Sequence, residues 1–306
     1  MDCAGTVSPT APELSANLNN EKMLVSIGEI VWDIIDDRKL LGGAPLNVAY
    51  HISSLGLEVR LISRIGHDDL AAHTLERLAE LGLPLADIQR DQKLPTGRVL
   101  VTFGKNNEPS FDIVAPAAWD AIEAEPFLRA APRPFHLVFG TLAQRSAPSR
   151  LAIRSLWEKA ELLFYDVNLR PPFTPAEVVL DSLAAADVVK LNEEELRQVA
   201  DWSGMAPGPV ARRAQGLCRR WQFLCLAVTR GPDGALLVTR DDLFEHGGFP
   251  VKVADSVGAG DAFFATLIEG IIRQRPWPEC LARANRRGSH VAGRAGATPP
   301  MQDFVF

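Results

Sequence analysis

A segment near the C-terminus, DSVGAGDAFFA at residues 255–265, places two glycines and an acid directly before an apolar run. Glycines at 258 and 260 allow a tight turn that leaves the NH groups of residues 258–261 free at the start of the next helix. The partial positive charge of a helix N-terminus favours an anion there, such as a phosphoryl group in transfer. Asp261 can act as a base, bind a metal or cap the helix, and a simple capped turn is the structural alternative.

Two other nucleotide-binding patterns do not occur in the sequence. Residue 263 is Phe, so the segment is not Gly-x-Gly-x-x-Gly, and its late position is not that of a Rossmann dinucleotide site. Gly104-Lys105 is followed by Asn106, so the chain has no P-loop Gly-Lys-Ser/Thr. The segment therefore needs other parts of the chain to supply its substrate.

Residues that could bind a polyol occur near the N-terminus. Asp33 follows a candidate strand, and its carboxylate can accept hydrogen bonds from two adjacent hydroxyls. Gly42-Gly43 leads into a helix with Asn47 one turn inside, where Asn costs about 0.5 kcal/mol relative to Ala. Asn47 could bind a sugar hydroxyl, whereas an exposed helix Asn and a solvated loop acid are the structural alternatives.

Further polar segments follow candidate strands. The polar residues of DVNLR (166–170) alternate, so their side chains share a face, and Arg170 can bind an oxyanion or hydroxyls or form an ion pair. Asn192 and Glu195 suit a hydrated Mg²⁺ beside phosphates, and equally a capping box. The segment VTRGPDG (228–234) indicates either a nucleotide contact or a hairpin turn.

Short β-branched runs alternate with helical patterns and predict the elements that position these residues. Alternating strands and helices favour an α/β fold with a mostly parallel sheet covered on both faces. Two regions, 31–43 and 95–119, lack the helix and predict a small extra sheet, with a hairpin turn in the second, that could close over a site. The predicted strands of the main sheet and the first hairpin strand cover 23–28, 59–63, 98–103, 135–140, 162–167, 187–191, 223–229 and 235–239.

Composition limits the classes of function. The 306 residues carry a net charge of −6, and 47% are hydrophobic, which is enough for one large domain. An acidic chain without a basic patch is not expected to bind nucleic acid. Residues 1–21 have the composition of a tail and not of a signal peptide, and no apolar run is long enough to span a membrane, so we expect a cytoplasmic protein.

The order of these segments resembles the ribokinase-like (PfkB) carbohydrate kinase family over residues 22–300. DSVGAGDAFFATL is similar to that family's C-terminal motif, with Ser256 where Thr is usual. Within the family the chain looks most like the fructokinases, on the segments GGAPLNVAYHISSLG, PTGRVLVTF, PSFDIVAPAAWD, FGTLAQR and DVNLRP. The resemblance implies a ribokinase-like three-layer fold in residues 22–306, with a β-sheet lid from segments near 31–41 and 95–119.

The resemblance also implies transfer of the γ-phosphoryl group of ATP to a sugar hydroxyl, with fructose 6-phosphate as the expected product. It assigns Asp261 as base, Gly258, Ala259 and Gly260 as anion hole, and Asp33, Gly42, Gly43, Asn47 and Arg170 as sugar ligands. It assigns Asn192, Thr229, Gly231, Gly234 and Asn285 to the nucleotide, and Glu195, with Asn192, to Mg²⁺ through water. A possible K⁺ site falls at Asp255, Val257 and Gly296, with Pro300 where some members offer a side-chain ligand.

The sequence leaves other substrates and other classes of function open. Ribose, a nucleoside or 2-keto-3-deoxygluconate could replace fructose, since aldonate kinases also use an Asn-x-Arg pair. A non-catalytic sugar-binding regulator and, more remotely, a dinucleotide-dependent oxidoreductase are the other classes. Lid sheets of the family often pair across a homodimer, and Trp32, Phe103 and Phe111 are the residues expected on such a face.

Overall fold

The main sheet of the computed structural model has nine strands in the order β13-β12-β11-β10-β9-β8-β1-β4-β5. The structure describes residues 23–35, 38–103, 109–130 and 134–306. The seven strands from β11 to β5 in that order run parallel to one another. Strand β12 pairs antiparallel with β11, and β13 pairs antiparallel with β12. The strands are β1 (Met23–Ile27), β4 (Val59–Ile65), β5 (Ile88–Arg90), β8 (Phe135–Gly140), β9 (Ala160–Asp166), β10 (Val188–Asn192), β11 (Cys225–Thr229), β12 (Ala235–Val238) and β13 (Leu243–His246).

Helices cover both faces of this sheet, as the alternation of strands and helices predicts. One apolar cluster joins the sheet to α4–α7 through residues such as Leu156, Val199 and Leu217. A second cluster joins the opposite face to α1, α2, α8 and α9 through residues such as Ile52 and Phe264. The helices are α1 (Ala44–Ser54), α2 (Asp69–Glu80), α3 (Glu125–Ala130), α4 (Ala147–Trp157), α5 (Ala176–Ala185), α6 (Glu193–Trp202), α7 (Val210–Trp221), α8 (Ala259–Ile272) and α9 (Trp277–Ala292), with 3-10 turns at Ala118–Ala121, Leu142–Arg145 and Gly231–Asp233.

A separate four-stranded sheet, called the small sheet below, forms from the two regions that lack a helical pattern. Its order is β3-β2-β6-β7, from β2 (Val31–Ile35), β3 (Arg38–Gly42), β6 (Gly97–Phe103) and β7 (Pro109–Ile113). Strands β2 and β6, distant in sequence, pair in parallel, and each also pairs with an antiparallel neighbour. The pairing of two remote segments into an extra sheet is thus confirmed.

One residue of the small sheet does not lie where the sequence predicts. Trp32 was expected on an exposed dimer face, but it is only 8% exposed, and its Nε1 donates to Oγ1 of Thr74 at 2.9 Å. The large apolar ring in β2 fills the junction with α2, so that part of the prediction is wrong. Phe111 is 63% exposed, whereas the side chain of Phe103, the turn at 104–107 and the tail 1–21 lie outside the described residues.

Strand existence was predicted better than strand ends. All eight predicted strands are present, with boundary shifts of up to about two residues. The short strands β5 and β13 were missed because three or four residues carry too little periodicity to stand out. None of the helices in the described part of the chain combines the length and apolar character that a bilayer crossing requires.

Gly97, at the start of β6, offers a test of how tightly the small sheet is joined to the body. A Cβ there would lie 2.6 Å from Cδ1 of the buried Trp119 and would also clash with the carbonyl oxygen of Ile30. We expect Gly97→Ala to lower the free energy of unfolding by about 1–3 kcal/mol, the usual cost of overpacking. Chemical denaturation measures the change.

Gly247→Ala is the matched control, because a Cβ at Gly247 meets no atom within 4 Å. It should change the free energy of unfolding by less than ~0.5 kcal/mol, as surface substitutions usually do. Equal free energies of unfolding of the Gly97→Ala variant and the native chain would contradict the close approach of Gly97 to Ile30 and Trp119.

Candidate active site

The carboxyl ends of the parallel strands meet at one edge of the main sheet. Glu29 follows β1, Asp166 ends β9, Asn192 ends β10 and Thr229 ends β11. Strand β1 lies between β4 and β8. After β1, the chain first extends the sheet on one side with β4 and β5 and then on the other side with β8 to β13, and this reversal opens a crevice at this edge. The polar segments that the sequence analysis selected therefore cluster where open α/β sheets bind ligands.

The glycine-rich turn shapes the N-terminus of α8. Gly258, the N-cap, has a φ of 78°, and a Cβ there would lie 2.5 Å from Cα of Ala297. The NH of Ala259 donates to the carbonyl of Ser256 at 3.3 Å, a weak bond. No backbone hydrogen bond from the NH groups of Gly260 or Asp261 to another described residue is formed. The turn therefore presents NH donors, as its sequence predicts, but the Ala259 NH is partly engaged.

Asp261 lies in the first turn of α8 and is held by α1. Nδ2 of Asn47 donates to Oδ2 of Asp261 at 2.8 Å, so an N-terminal residue orients a C-terminal carboxylate. Burial raises the pKa of Asp261, while the Lys190 ammonium, the hydrogen bond from Asn47 and the Arg170 guanidinium lower it. The net effect is a pKa above that of an ordinary Asp, which makes the carboxylate a stronger base.

A second group gathers at the start of α1 and the small sheet. Oδ2 of Asp33 lies 3.7 Å from the position of a Cβ on Gly42, and a side chain at Gly43 would clash with the carbonyl of Glu29. Burial raises the pKa of Asp33, and the Arg170 guanidinium lowers it. Arg170 thus lies within electrostatic range of both Asp33 and Asp261, and the structure brings all the predicted sugar ligands to one place.

The sequence assigned no site role to three ionisable groups in this region, Lys190, Asp166 and Glu29. Lys190 is buried, and its Nζ donates to both carboxylate oxygens of Asp166 at 3.0 and 3.1 Å. Nζ also lies 3.1 Å from the position of a Cβ on Gly260, against the glycine-rich turn. Burial opposes the charge of Lys190, but the carboxylates of Asp166, Glu195 and Asp261 raise its pKa above the ordinary value.

The pKa values of the two acids, Asp166 and Glu29, are raised. Burial raises the pKa of Asp166 to about 7 against the opposing effect of Lys190. Burial also raises the pKa of Glu29 to about 7, with its own backbone hydrogen bond and Arg170 opposing. Oε2 of Glu29 and Oδ1 of Asn47 are buried without a hydrogen-bond partner among the described residues, so both can accept from a ligand hydroxyl. A charged residue within the apolar strand DVVKLN was the signal that could have identified Lys190.

Asn192 and Glu195 form the capping box of α6. Oδ1 of Asn192 accepts from the NH of Glu195, and Oε2 of Glu195 accepts from the NH of Asn192, both at 2.8 Å. Oε1 of Glu195 accepts from the NH of Leu169 at 2.8 Å. Among the described residues, no group of three His, Cys, Asp or Glu side chains could hold a metal directly. Any Mg²⁺ here would depend on water and phosphate oxygens, as the sequence analysis expects of this pair.

The predicted cation loop is assembled around one carboxylate. Oδ1 of Asp255 accepts from the NH of Val257, and Oδ2 accepts from the NH of Gly296, both at 3.0 Å. Gly296 has a φ of 78°, which turns the chain beside the start of α8. Asp255 therefore joins the two loops that flank the glycine-rich turn.

The residues predicted to bind the nucleotide are more dispersed than the predicted sugar ligands. Thr229 is opposite Asn192 in the β10–β11 register. Gly231 and Gly234 bound a 3-10 turn that leads into the antiparallel β12, so the hairpin interpretation of this segment holds. Nδ2 of Asn285 donates to the carbonyl of Leu281 within α9. No hydrogen bond among the described residues links these groups to Asp261.

Comparison with known proteins identifies what this arrangement is similar to. Residues 19–303 match the model of the pfkB family carbohydrate kinases. A fructokinase of Escherichia coli is 31% identical over 266 residues, 80% of this chain and 83% of that protein. A protein of Pyrococcus horikoshii described as a sugar kinase is 30% identical over 281 residues, 82% of this chain and 83% of that one.

Solved structures share the architecture. An ATP-bound fructokinase of Xylella fastidiosa has a TM-score of 0.80 at 25% identity, covering 90% of this chain and 94% of that one. A fructokinase double mutant of Vibrio cholerae with fructose, ADP and a potassium ion has a TM-score of 0.77 at 25% identity, over 90% and 94% of the two chains. Aminoimidazole riboside kinase of Salmonella enterica shares the fold, with a TM-score of 0.76 at 24% identity over 90% and 95%.

The burial of Glu29 predicts a pH-dependent cost in stability. Its pKa is about 7 in the folded chain against 4.5 for the free side chain. The folded state therefore keeps a proton that the unfolded state loses, and the free energy of unfolding falls as pH rises from about 4.5 to 7. We expect Glu29→Gln to be more stable than the native chain by about 2–3 kcal/mol at pH 8, with the difference vanishing near pH 4.

Denaturant titrations between pH 4 and 8 measure this difference. The exposed Glu158→Gln, which removes a carboxylate from the surface and not from the core, is the control. A Glu29→Gln difference that is the same at pH 5 and pH 8 would contradict the proposed effect of burial.

Proposed function

The chain belongs to the pfkB family of carbohydrate kinases and is a sugar kinase of that family, and we propose that it transfers the γ-phosphoryl group of ATP to fructose to form fructose 6-phosphate. The observation that carries the mechanism is the Asn47–Asp261 hydrogen bond beside the N-terminus of α8. It fixes a carboxylate next to donors for a phosphoryl group. ATP enters the proposal because related structures bind it.

Asp261 acts in this proposal as the base for the sugar hydroxyl. Phosphoryl transfer has a loose transition state, so the hydroxyl needs to lose its proton only as the new P–O bond forms. Asn47 occupies Oδ2 of Asp261, which leaves Oδ1 for the hydroxyl. The NH groups of Gly258, Ala259 and Gly260 would stabilise the negative charge of the transferring group.

The sugar is proposed to lie between Asp33, Asn47 and Arg170. The carboxylate of Asp33 and the free Oδ1 of Asn47 accept hydroxyl hydrogens, and the Arg170 guanidinium donates to hydroxyl oxygens. A Cβ on Gly42 would meet only Oδ2 of Asp33, at 3.7 Å, so the absence of a side chain leaves room for the sugar there, whereas Gly43 is required by the close approach of the Glu29 carbonyl. We add Glu29 as a further acceptor because its Oε2 is buried and unpaired among the described residues.

The balance of charge supports a neutral substrate. Glu29, Asp33 and Asp261 lie within electrostatic range of Arg170. Lys190 also acts on Asp261, but it is paired with Asp166. An anionic substrate such as 2-keto-3-deoxygluconate would add a further negative charge to this group, which like charges disfavour. Fructose carries no charge, and fructokinases are among the relatives of the chain.

Lys190 is proposed to offset charge at the glycine-rich turn. Its ammonium lies against Gly260 and stays charged because Asp166 holds it in place. Asn192 and Glu195 would hold Mg²⁺ through water, and that ion, when bound, would screen the charge of the phosphates. Thr229, Gly231, Gly234 and Asn285 stay proposed nucleotide contacts.

The glycine-rich turn is also proposed to have a monovalent cation next to it. Asp255 accepts hydrogen bonds from the NH groups of Val257 and Gly296, which brings the two loops together, and its carboxylate and their carbonyls are the proposed ligands of one ion. A fructokinase of Vibrio cholerae is known with a potassium ion bound. Occupancy would stiffen the loops that carry Gly258.

The small sheet is proposed as a lid that excludes water from the transfer, and as a homodimer surface. Its register puts Leu40 and Phe111 on the same face as Asp33, and both are exposed. A second copy that covers this face would bury both side chains beside the sugar site.

A panel of sugars tests the substrate proposal. We expect kcat/KM with ATP to be at least ~10-fold higher for fructose than for ribose or 2-keto-3-deoxygluconate, because the site offers hydroxyl acceptors and excess negative charge. Coupled ADP release measures the rate. Faster phosphorylation of the keto-deoxy acid would overturn the proposal, and sugar binding without any turnover would favour a non-catalytic regulator.

Replacement of Asp261 tests the base. Asp261→Asn keeps the size of the side chain and a partner for Asn47 but removes the charge, so kcat should fall by a factor of ~10² to 10⁴ while the sugar Kd changes little. Initial rates and calorimetric titration with the sugar give the two quantities. The exposed Asp201→Asn serves as control, and a near-normal kcat in the Asp261→Asn variant would exclude the base assignment.

A further inference from the structure

Helix α1 contacts Asp261, in the first turn of α8, and Ala297, against which the glycine-rich turn packs. Asn47 and His51 are four residues apart, so they lie on one face of the helix, one turn after the other. Asn47 donates to Asp261, and His51 lies within 3.0 Å of the carbonyl oxygen of Ala297 through Nε2. The two contacts are made to segments that are distant in sequence but adjacent at the start of α8.

His51 has one hydrogen-bonding arrangement that satisfies both of its neighbours. The side chain is fully buried, and burial with the nearby Arg287 charge lowers its pKa to about 3, so the ring is neutral. Nη2 of Arg287 lies 3.4 Å from Nδ1, and a guanidinium can only donate. Nδ1 is therefore the acceptor, and the single ring proton is on Nε2, where it is donated to Ala297.

Ala297 is the residue against which the glycine-rich turn packs. A Cβ on Gly258 would meet Cα of Ala297 at 2.5 Å and its Cβ at 2.6 Å, so the two backbones touch. The neighbouring Gly296 NH is held by Asp255, which also holds the NH of Val257. A shift of Ala297 would therefore move Gly258 and the NH groups that follow it.

An ordinary core histidine would not need this arrangement. A buried imidazole and a buried guanidinium both lose hydration, and an apolar side chain of similar size would fill the same space at lower cost. Arg287 is also buried, donates to Oγ of Ser54 and lies over the Phe304 ring at 5.4 Å. The buried pair of His51 and Arg287 is explained if the directional hydrogen bond from His51 to Ala297 positions a segment that apolar packing alone would not position.

We propose that His51 is a positioning residue which, with its tautomer fixed by Arg287, holds Ala297 and thereby sets the place of the Gly258 anion hole relative to Asp261. This inference rests on the proposed phosphoryl transfer. It makes α1 a rigid spacer that aligns the base through Asn47 and the anion hole through His51. Neither residue 51 nor residue 287 touches the reacting atoms.

The test compares substitutions at His51 that keep or remove the donor. His51→Leu should lower kcat by about 10- to 100-fold with the sugar KM within about twofold, because the groups that act in the transition state are misplaced. His51→Gln, whose Nε2 can donate to the same carbonyl, should recover kcat to within about threefold of the native chain. His51→Asn is too short to reach and should behave like the Leu variant.

Tyr50→Phe is the matched control. Tyr50 donates from its hydroxyl to the carbonyl of Pro299 at 2.7 Å, so the variant also removes one buried hydrogen bond to this segment. The three atoms nearest to a Cβ on Gly258 all belong to Ala297 and not to residue 299, so kcat should stay within about twofold of the native value despite a lower melting temperature. A loss of kcat in Tyr50→Phe equal to that in His51→Leu would reduce the effect to general destabilisation and overturn the inference.

The outcomes separate this inference from the proposed function. A native chain that phosphorylates fructose, with His51→Leu or His51→Asn retaining native kcat, overturns only the role of His51. A native chain with no turnover of any sugar overturns the proposed function and this inference with it. If His51→Leu fails to fold, the contrast between His51→Gln and His51→Asn decides the question.

Discussion

The hydrogen bond from Asn47 to Asp261 is the interaction on which the site depends. It joins side chains 214 positions apart in the chain and fixes the distance between α1 and α8, which carry the proposed sugar contacts and the glycine-rich turn. Both helices pack on the same face of the main sheet through one apolar cluster. The large core therefore acts as a frame that holds two helix N-termini together at the sheet edge, where backbone NH groups and a carboxylate can act on one ligand.

The core also buries ionisable side chains that water would hydrate in the unfolded chain. Glu29, Asp166 and Lys190 are all buried at this edge. Lys190 and Asp166 compensate each other, whereas Glu29 has an oxygen without a partner among the described residues. Such groups lower stability, and they are retained where a ligand completes their hydrogen bonds. A ligand that completes the hydrogen bonds of Glu29 would therefore stabilise the folded chain.

Most of the fold and part of the site could be predicted from the sequence. Periodicity identified the strands, and the order of Gly-Gly, Asn, Arg and Gly-Ala-Gly-Asp segments identified the residues that the structure brings together around Asp261. Trp32 and Lys190 could not be placed, because whether an apolar ring or a cation in a strand is exposed depends on contacts with Thr74 and Asp166 that are remote in sequence. The hydrogen bond of the Ala259 NH and the capping box at Asn192 could not be decided from the sequence, because both depend on local backbone geometry.

Fold similarity alone does not choose a substrate, since a riboside kinase shares this architecture. The proposed choice of a neutral sugar rests on the groups around Asp261. The acids Glu29, Asp33, Asp166 and Asp261 outnumber the cations Arg170 and Lys190. The oxygens of Asn47 and Glu29 that have no partner among the described residues can accept from hydroxyl groups. A carboxylate on a substrate at the proposed position would meet Asp33 as well as Arg170, because Asp33 lies within electrostatic range of Arg170. In the proposed site, repulsion between like charges therefore contributes to specificity alongside fit.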